Sequence, residues 1–233
     1  MMTDYKLQAA ERAIQLIAPG QTIGLGDGSA VLHLADLVAA DSSLRTGLTL
    51  TTSSARTAER LVAHGLTVRP LADLSELDIY FDGCDQFDRE LNAIKSGSGI
   101  HTHEKIAAAM AGEFILIGDE SKFAEQLGNL YPVVLEVVPF ALRSVQARLS
   151  TAFSGVIFKQ RLEAGKHTPV ITTQGNYLLE MSFNVLPELE DMDIYLKMLP
   201  AVLNHSLFYH LATSAVIAGP EGTTVLRPAR RSV

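Results

Sequence analysis

The sequence predicts an α/β protein with a largely parallel sheet, followed by a smaller α+β domain. Short apolar runs alternate with helix-like segments through the first 130 residues, which is typical of strand–helix–strand crossovers. Near Tyr131 the order changes to strand, helix, strands, helix, which suits a small α+β unit. We therefore expect one domain from residues 1–130 plus 206–233 and a small domain from residues 131–205.

The expected elements follow the apolar periodicity. Thr3 or Asp4 can cap a first helix, whose apolar residues recur at helical spacing until Gly20 stops it. Up to residue 130 the further expected elements are, in order, the strand TIGLG, the helix VLHLADLVAA, the strand LTLTT, a helix within SSARTAERLVAHG, the strands LTVRP and LDIYF, a helix over residues 104–111, the strand EFILIGD and the helix SKFAEQLG.

The second part is expected to contain a strand, a helix that begins near Pro139, a hairpin or strand pair, and another helix. The hairpin lies in PVITTQGNYLLEMSF with its turn at Gln174 and Gly175, and the last helix lies in PELEDMDIYLKMLPAVLNH. The runs SLFYHLATSAVIAG and TTVLRP are expected to be strands joined at Glu221 and Gly222 that rejoin the first sheet.

The composition limits which kinds of partner and which cellular compartment are expected for this protein. Of the 233 residues, 47% are hydrophobic and 19% are charged, which indicates a folded globular protein. The formal net charge of −7 argues against a nucleic-acid partner. The single cysteine, Cys84, excludes an intrachain disulfide and fits a reducing compartment. The N-terminal segment is unlike a signal peptide and no uncharged apolar run would span a bilayer, so we expect a soluble cytoplasmic protein with no membrane partner.

A group of polar residues after the strand LDIYF is the strongest functional signal. Asp82 and Asp85 come at the strand end. Lys95 precedes a glycine–serine loop, and Glu104 falls in the first turn of the next helix. Small ligands bind at this edge of open α/β sheets, and carboxylates beside an ammonium group can move protons and stabilise an anion. Taken singly, the same residues also fit a turn, a solvated lysine and a favourable partner of the helix dipole.

The glycine-rich segment of residues 24–29 lies between a strand and a helix, where backbone N–H groups can bind an anion. A dinucleotide fingerprint needs glycine at position 29, which is serine, and a P-loop needs a following lysine, which is absent. A phosphate loop that uses Ser29 and an ordinary tight turn both stay open. Asp27 would repel a phosphate dianion unless its carboxylate points away.

Two further candidates could contact sugar or phosphate oxygens. Ser53 and Ser54 follow the strand LTLTT and can also act as helix caps. Lys122 stands at an expected helix start, where it can reach a phosphate or lie solvated.

His101 and His103 raise the question of a metal site. We expect them on opposite faces of a strand, with no third ligand close in sequence, so we predict no metal. The Cys84 thiol lies between two carboxylates, so it should have a raised pKa and be a poor nucleophile.

Several motifs in the same order resemble the ribose-5-phosphate isomerase type A family over nearly the whole length. The family's D-G-A-D-E, I-K-G-G-G and R-E-K segments appear as DGCDQ, IKSGS and HEK. Its D-E-S-K and L-G segments are intact. Its P-V-E-V-x-P-F, T-D-x-G-N and G-S-T segments resemble VVLEVVPF, TTQGN and GSA.

The resemblance implies a Rossmann-like domain, a small ferredoxin-like domain and an aldose–ketose isomerase. Its reaction would interconvert ribose 5-phosphate and ribulose 5-phosphate through an enediolate, with Glu104 as the general base. Asp82, Asp85 and Lys95 would assist ring opening and polarise oxygens, and Lys95 with the amides of residues 96–99 would stabilise the enediolate. The candidate substrate-binding residues are Lys6, Asp27, Gly28, Ser29, Ala30, Ser53, Gly83, Cys84, Ser96, Gly97, Ser98 and Lys122. The family needs no metal and no organic cofactor, and its members are dimers or tetramers, so the implied partners are a sugar phosphate and further copies of the chain.

Departures from the family surround the proton-transfer residues. Ser96 and Ser98 replace glycines and can reshape the pocket. Asp27 adds an anion to the phosphate loop and Ala30 removes a hydroxyl. Two other functions stay open. One is a non-catalytic sugar-phosphate binding or sensing protein on the same scaffold, and the other is an acyl- or CoA-transferase-like enzyme with Glu104 as nucleophile.

Overall fold

The computed structural model describes residues 3–228. Its helices are α1 (Tyr5–Ala13), α2 (Ser29–Ala40), α3 (Ser42–Arg45), α4 (Ala55–Ala63), α5 (His101–Met110), α6 (Leu142–Ala152) and α7 (Leu189–Met198). Its strands are β1 (Thr22–Leu25), β2 (Thr49–Thr52), β3 (Leu77–Asp82), β4 (Gln86–Phe87), β5 (Ala93–Ile94), β6 (Ala111–Asp119), β7 (Val133–Val137), β8 (Ile157–Gln160), β9 (Tyr177–Ser182), β10 (Val202–His205), β11 (Leu207–Phe208), β12 (Ser214–Gly219) and β13 (Gly222–Leu226).

A six-stranded sheet in the order β13-β12-β6-β3-β1-β2 forms the main layer. Its pairings are parallel except for β13, which runs antiparallel to β12. The predicted largely parallel sheet is therefore confirmed, and so is the return of the last two strands to it. Because β1, β3 and β6 are neighbours and run in the same direction, their carboxyl ends meet at one edge.

Local signals explain how the flanking helices begin. The Asp4 side chain accepts hydrogen bonds from the backbone N–H groups of Lys6 and Leu7 at 3.1 and 3.2 Å and caps α1. The Ser54 hydroxyl accepts from the Thr57 N–H at 3.3 Å and caps α4. Helix α2 has no side-chain cap, so its N-terminal N–H groups are left for another acceptor.

A four-stranded antiparallel sheet in the order β10-β7-β9-β8 forms the second unit. Its apolar side packs with α6 and α7 in one core that includes Leu135, Leu179, Leu149 and Leu196. The predicted fold class, a largely parallel sheet with a smaller α+β unit, is confirmed. The domain boundaries at residues 130 and 206 stay a prediction, and residues 1, 2 and 229–233 of the first predicted domain lie outside the described residues.

A third sheet has three strands, in the order β11-β5-β4. The Lys95 N–H donates to the Ser206 carbonyl at 3.0 Å. The Ser206 N–H donates to the Val134 carbonyl at 2.8 Å, and the Val134 N–H donates to the Ser206 hydroxyl at 2.8 Å. Ser206 therefore links the segment that carries Lys95 to the small antiparallel sheet.

Three expected elements of the first part differ in the structure. The run LTVRP forms only a single bridge, between Val68 and Leu50, because Pro70 lacks the N–H that would extend the pairing. The run SKFAEQLG contains only the end of a 3₁₀ turn, Glu120–Lys122. The chain then becomes extended at Phe123, which bridges to Phe87. Helix α5 begins at His101 rather than Glu104, so the two histidines are on a helix and not on a strand.

The predicted hairpin over residues 169–183 is half right. Strand β9 and the turn at Gly175, where φ is +80°, are present. The segment before the turn forms only isolated bridges, at Pro169 and Ile171, and the strand partners of β9 are β8 and β7. Strand β8 has no buried residue, so its apolar pattern was too weak to predict it. None of the helices within residues 3–228 has the length and apolarity to cross a membrane.

Gly26 gives a test of how closely β1 and β3 approach. A Cβ at position 26 would lie 2.0 Å from Asp82 Cγ. We expect Gly26→Ala to displace this buried carboxylate and to lower the free energy of unfolding by about 2–4 kcal/mol. Urea unfolding would measure the change. The control is Gly47→Ala, whose Cβ would find its nearest atom at 3.4 Å. Equal stability of the two variants would contradict the close approach.

Candidate active site

Asp82 ends β3 with its side chain fully buried. Its Oδ1 accepts from the backbone N–H groups of Asp27 at 3.0 Å and Gly83 at 2.7 Å. Its Oδ2 accepts from the Tyr80 hydroxyl at 2.8 Å and lies 2.9 Å from Lys95 Nζ. Burial raises the pKa of the Asp82 carboxyl, and the Lys95 ammonium opposes that rise. With both oxygens occupied, Asp82 orients Lys95.

Lys95 lies at the centre of the polar group, with 6% of its side chain exposed. Its Nζ donates to the Gly83 carbonyl and lies 3.5 Å from Glu104 Oε1. Burial alone would lower the pKa of Lys95, but the carboxylates of Asp82 and Glu104 outweigh burial and raise it. Lys95 is therefore a fixed cation between two carboxylates.

Glu104, in the first turn of α5, is 1% exposed. Its Oε1 faces Lys95 Nζ and accepts from the Ser98 hydroxyl at 3.4 Å. Its Oε2 has no hydrogen-bond partner among the atoms of residues 3–228. Burial raises the pKa of the Glu104 carboxyl to about 8, with the carboxylates of Asp82 and Asp27 adding to the rise and Lys95 opposing it. A carboxylate with one free oxygen and a pKa near neutrality has the properties of a general base.

Lys105 fixes the helix that carries Glu104. Its buried Nζ donates to the Leu207 carbonyl at 2.7 Å and lies 3.3 Å from His205 Nδ1. Burial lowers the pKa of Lys105 to about 7. Lys105 belongs to the HEK segment that resembles the family's R-E-K, but no role was predicted for it.

Asp85 accepts hydrogen bonds from the backbone of the glycine–serine loop. Its Oδ2 accepts from the backbone N–H groups of Ser96 at 2.5 Å and Gly97 at 3.1 Å. The expectation that all the loop amides cradle the enediolate is therefore wrong for these two, because each already has an acceptor. Asp85 still lines the cavity and can offer its other oxygen there.

The part of the cavity at the start of α2 has the groups that bind an anion. Gly28 has φ of +116° and turns the chain into α2, whose first residue is Ser29. The uncapped N–H groups there face a region lined also by Lys6 and Lys122. The Asp27 Oδ1 accepts from the Ser54 hydroxyl at 3.0 Å, which holds one oxygen of that carboxylate toward the start of α4.

These groups surround one cavity of about 230 Å³. Thirteen predicted site residues line it, namely Lys6, Asp27, Gly28, Ser29, Ala30, Gly83, Cys84, Asp85, Lys95, Gly97, Ser98, Glu104 and Lys122. Asp82, Ser53 and Ser96 do not line it. The Ser53 hydroxyl instead meets the Tyr80 hydroxyl at 2.8 Å, and the Ser96 hydroxyl donates to the Pro132 carbonyl.

Some residues near the cavity were not predicted. Ile117 and Gly118 line it at the end of β6. The same rule that singled out the end of β3 could have found them, because β6 lies beside β3. Tyr80 and Arg161 gave no sequence signal, since one lies within an apolar strand and the other in the distant small unit.

Cys84 lines the cavity, and His101 and His103 lie in the first turn of α5. Burial raises the pKa of the Cys84 thiol to about 12, with nearby carboxylates adding to the rise, which agrees with the expectation of a poor nucleophile. His101 is fully buried, and His103 contacts the Gln174 side chain. Within residues 3–228, no three His, Cys, Asp or Glu side chains are grouped as metal ligands.

Comparison with known proteins identifies the family of this chain. A family profile described as ribose 5-phosphate isomerase A (phosphoriboisomerase A) matches residues 49–222. The chain is 33% identical over 224 residues to a protein named ribose-5-phosphate isomerase A from Agrobacterium fabrum, covering 95% of this chain and 96% of the relative. It is 34% identical over 234 residues to one of the same name from Bradyrhizobium diazoefficiens, covering 97% and 96%.

Solved structures give the same result. A D-ribose-5-phosphate isomerase in complex with phospho-erythronic acid superposes with a TM-score of 0.90 at 28% identity, covering 97% of this chain and all of the other. The ribose 5-phosphate isomerase A of Methanocaldococcus jannaschii gives 0.86 at 28% identity, covering 95% and 97%. The chain belongs to the ribose 5-phosphate isomerase A family.

Proposed function

We propose that this protein interconverts D-ribose 5-phosphate and D-ribulose 5-phosphate through an enediolate, with Glu104 as the general base. The observation that carries the proposal is the buried Glu104 carboxylate, whose Oε2 is unpartnered in the described part of the chain beside Lys95 in a small cavity. Family membership supports the same reaction.

The proposed reaction moves one proton between neighbouring carbons. Glu104 Oε2 takes the proton from C2 of the open-chain aldose, and the electrons of that bond flow to the aldehyde oxygen, giving the enediolate. The same carboxyl group returns the proton to C1, while the C2 hydroxyl proton passes to O1. Lys95 balances the negative charge that develops on oxygen. Asp85, which lines the cavity, is placed in our proposal to exchange protons with the ring oxygen during opening.

The phosphate end of the substrate is proposed to lie at the start of α2. Ser29 with the uncapped N–H groups supplies neutral donors, and Lys6 and Lys122 supply charge. Asp27 and Ala30, which depart from the family pattern, favour weaker phosphate binding and are the observation behind the alternative function, a sugar-phosphate binding or sensing protein without turnover.

The biological setting is also a proposal. We place the protein in the cytoplasm, in pentose phosphate metabolism, as a homo-oligomer, either a dimer or a tetramer. Its single cysteine fits a reducing compartment. Highly exposed apolar side chains such as Phe140, at 93%, and Met198, at 78%, favour association between copies.

The base assignment predicts the behaviour of Glu104→Gln. The amide cannot accept the C2 proton, so kcat for ribose 5-phosphate should fall by about 10²–10⁴-fold. In D₂O the native protein should place deuterium on the reacting carbons, and the variant should lose this exchange. NMR of the sugar phosphates measures both effects.

The control for that experiment is Glu76→Gln, which alters an exposed carboxylate far from the β3 carboxyl end. Retained turnover in Glu104→Gln would contradict the assignment. Saturable binding of ribose 5-phosphate by the native protein, with neither turnover nor exchange, would select the sensing function instead.

The raised pKa of Glu104 predicts the pH dependence. The base must be ionised, and its pKa in the free protein is about 8, so kcat/KM should rise about tenfold per pH unit below pH 8 and level off above it. Initial rates measured between pH 5 and 9 give the dependence of kcat/KM on pH. A flat profile down to about pH 5 would mean that no base with a raised pKa limits the reaction.

The phosphate assignment predicts that Lys122→Met acts on binding. Loss of one charge-assisted contact should raise KM for ribose 5-phosphate about tenfold with little change in kcat. Inorganic phosphate should inhibit the variant less than the native protein. Lys166→Met, which removes an exposed lysine paired with Glu163, is the matched control. An unchanged KM in Lys122→Met would place the phosphate elsewhere.

A further inference from the structure

Arg161, which follows β8 in the small antiparallel unit, reaches across to the loop beside the base. Its Nη2 donates to the Ser96 carbonyl at 2.8 Å and its Nη1 to the Gly97 carbonyl at 3.2 Å. One planar guanidinium therefore holds two consecutive peptide carbonyls, which a lysine ammonium on a flexible stem cannot do with the same geometry.

The third side of the guanidinium is fixed as well. Arg161 Nε donates to Glu180 Oε1 at 2.8 Å, and the two side chains are 18% and 16% exposed. Glu180 lies on β9, the neighbour of β8. The orientation of Arg161 is therefore set by the small sheet, and its partial burial strengthens the hydrogen bonds that it makes.

Because Arg161 fixes the two carbonyl groups, it also fixes the direction in which the N–H groups of the same peptides point. The described chain contains no cis peptide bond, and in a trans peptide the N–H points away from the C=O. The peptide that offers the Ser96 carbonyl to Arg161 offers its N–H, that of Gly97, to Asp85. The next peptide offers the Gly97 carbonyl to Arg161, so the Ser98 N–H points to the other side.

Gly97 and Ser98 line the cavity, while Arg161 does not. The loop also packs tightly against the small sheet. A Cβ at Gly99 would lie 2.6 Å from Leu178 Cδ1 and 3.3 Å from Arg161 Nη1. The loop is thus pressed onto the small sheet at one end and held by Arg161 in the middle.

We propose that Arg161, oriented by Glu180, is a positioning residue that fixes the 96–98 loop so that Asp85 and the Ser98 N–H face the substrate. The inference rests on the isomerase proposed above. Arg161 touches no substrate; it acts through the two peptides that it holds. The small unit then contributes to the reaction through this contact.

The test replaces Arg161 by Ala and measures kcat and KM separately. A loosened loop misplaces groups that act on the reacting carbons, so kcat should fall about 10–100-fold with a much smaller change in KM. Guanidinium ion at tens of millimolar, too dilute to unfold the protein, should bind in the vacated space and restore several-fold of the lost kcat. Arg161→Lys keeps the charge and should stay defective, because an ammonium cannot hold both carbonyls and Glu180.

The chain offers a matched control on β8, the strand that Arg161 follows. Lys159 lies two residues before Arg161, its Nζ is 3.9 Å from Glu180 Oε2, and its side chain is 77% exposed. Lys159→Met removes a cation from the same carboxylate without touching the loop, so kcat should match the native protein. Native kcat in Arg161→Ala, or a loss that guanidinium does not reverse, would overturn the proposal. If Arg161→Ala does not fold, native kcat in Arg161→Lys overturns it equally.

A second readout separates this proposal from the proposed function. Hydrogen exchange of the Gly97 amide, which donates to Asp85, should be faster in Arg161→Ala and Arg161→Lys than in the native protein and in Lys159→Met. This comparison needs no substrate. Faster exchange in a protein without isomerase activity would leave the loop assignment intact and reject the reaction. Unchanged exchange in an active protein would reject the loop assignment alone.

Discussion

The buried ion pair between Lys95 and Asp82 is the interaction on which the site depends. Asp82 receives its other hydrogen bonds from the ends of β1 and β3, so the pair fixes an ammonium at the meeting point of two strands. Losing one partner of such a pair costs about 3–5 kcal/mol, because a buried charge is left uncompensated. The absence of a side chain at Gly26 is what lets the carboxylate occupy this place.

The ion pair also determines the electrostatics of Glu104. Lys95 faces one oxygen of Glu104, while burial and the Asp82 carboxylate favour the protonated form. The balance keeps the pKa of Glu104 near the pH at which a carboxyl group both takes and returns a proton readily. Asp82 therefore contributes to the proposed chemistry from behind Lys95, without facing the cavity itself.

Much of the fold and of the site could be predicted, because both depend on local patterns. The alternating apolar runs gave the parallel sheet, and the rule that ligands bind at strand carboxyl ends singled out Asp82, Lys95 and Glu104. The features that were not predicted depend on contacts between residues far apart in the sequence. The strand β8, without a buried residue, gave no periodic signal, and the use of the Ser96 and Gly97 amides by Asp85 depends on how the loop folds back. Arg161, 65 residues from Ser96, could be linked to the site only in three dimensions.

Glu104 is a buried carboxylate whose pKa is held near 8 beside Lys95. The most direct measurement is a ¹³C NMR titration of the glutamate side-chain carboxyl groups in the substrate-free protein, with the Glu104 resonance assigned by its absence in Glu104→Gln. We predict one glutamate that titrates near pH 8 and vanishes in that variant. A Glu104 resonance that titrates close to the ordinary glutamate pKa of 4.5 would show that burial does not hold this carboxyl group ready to act as a base.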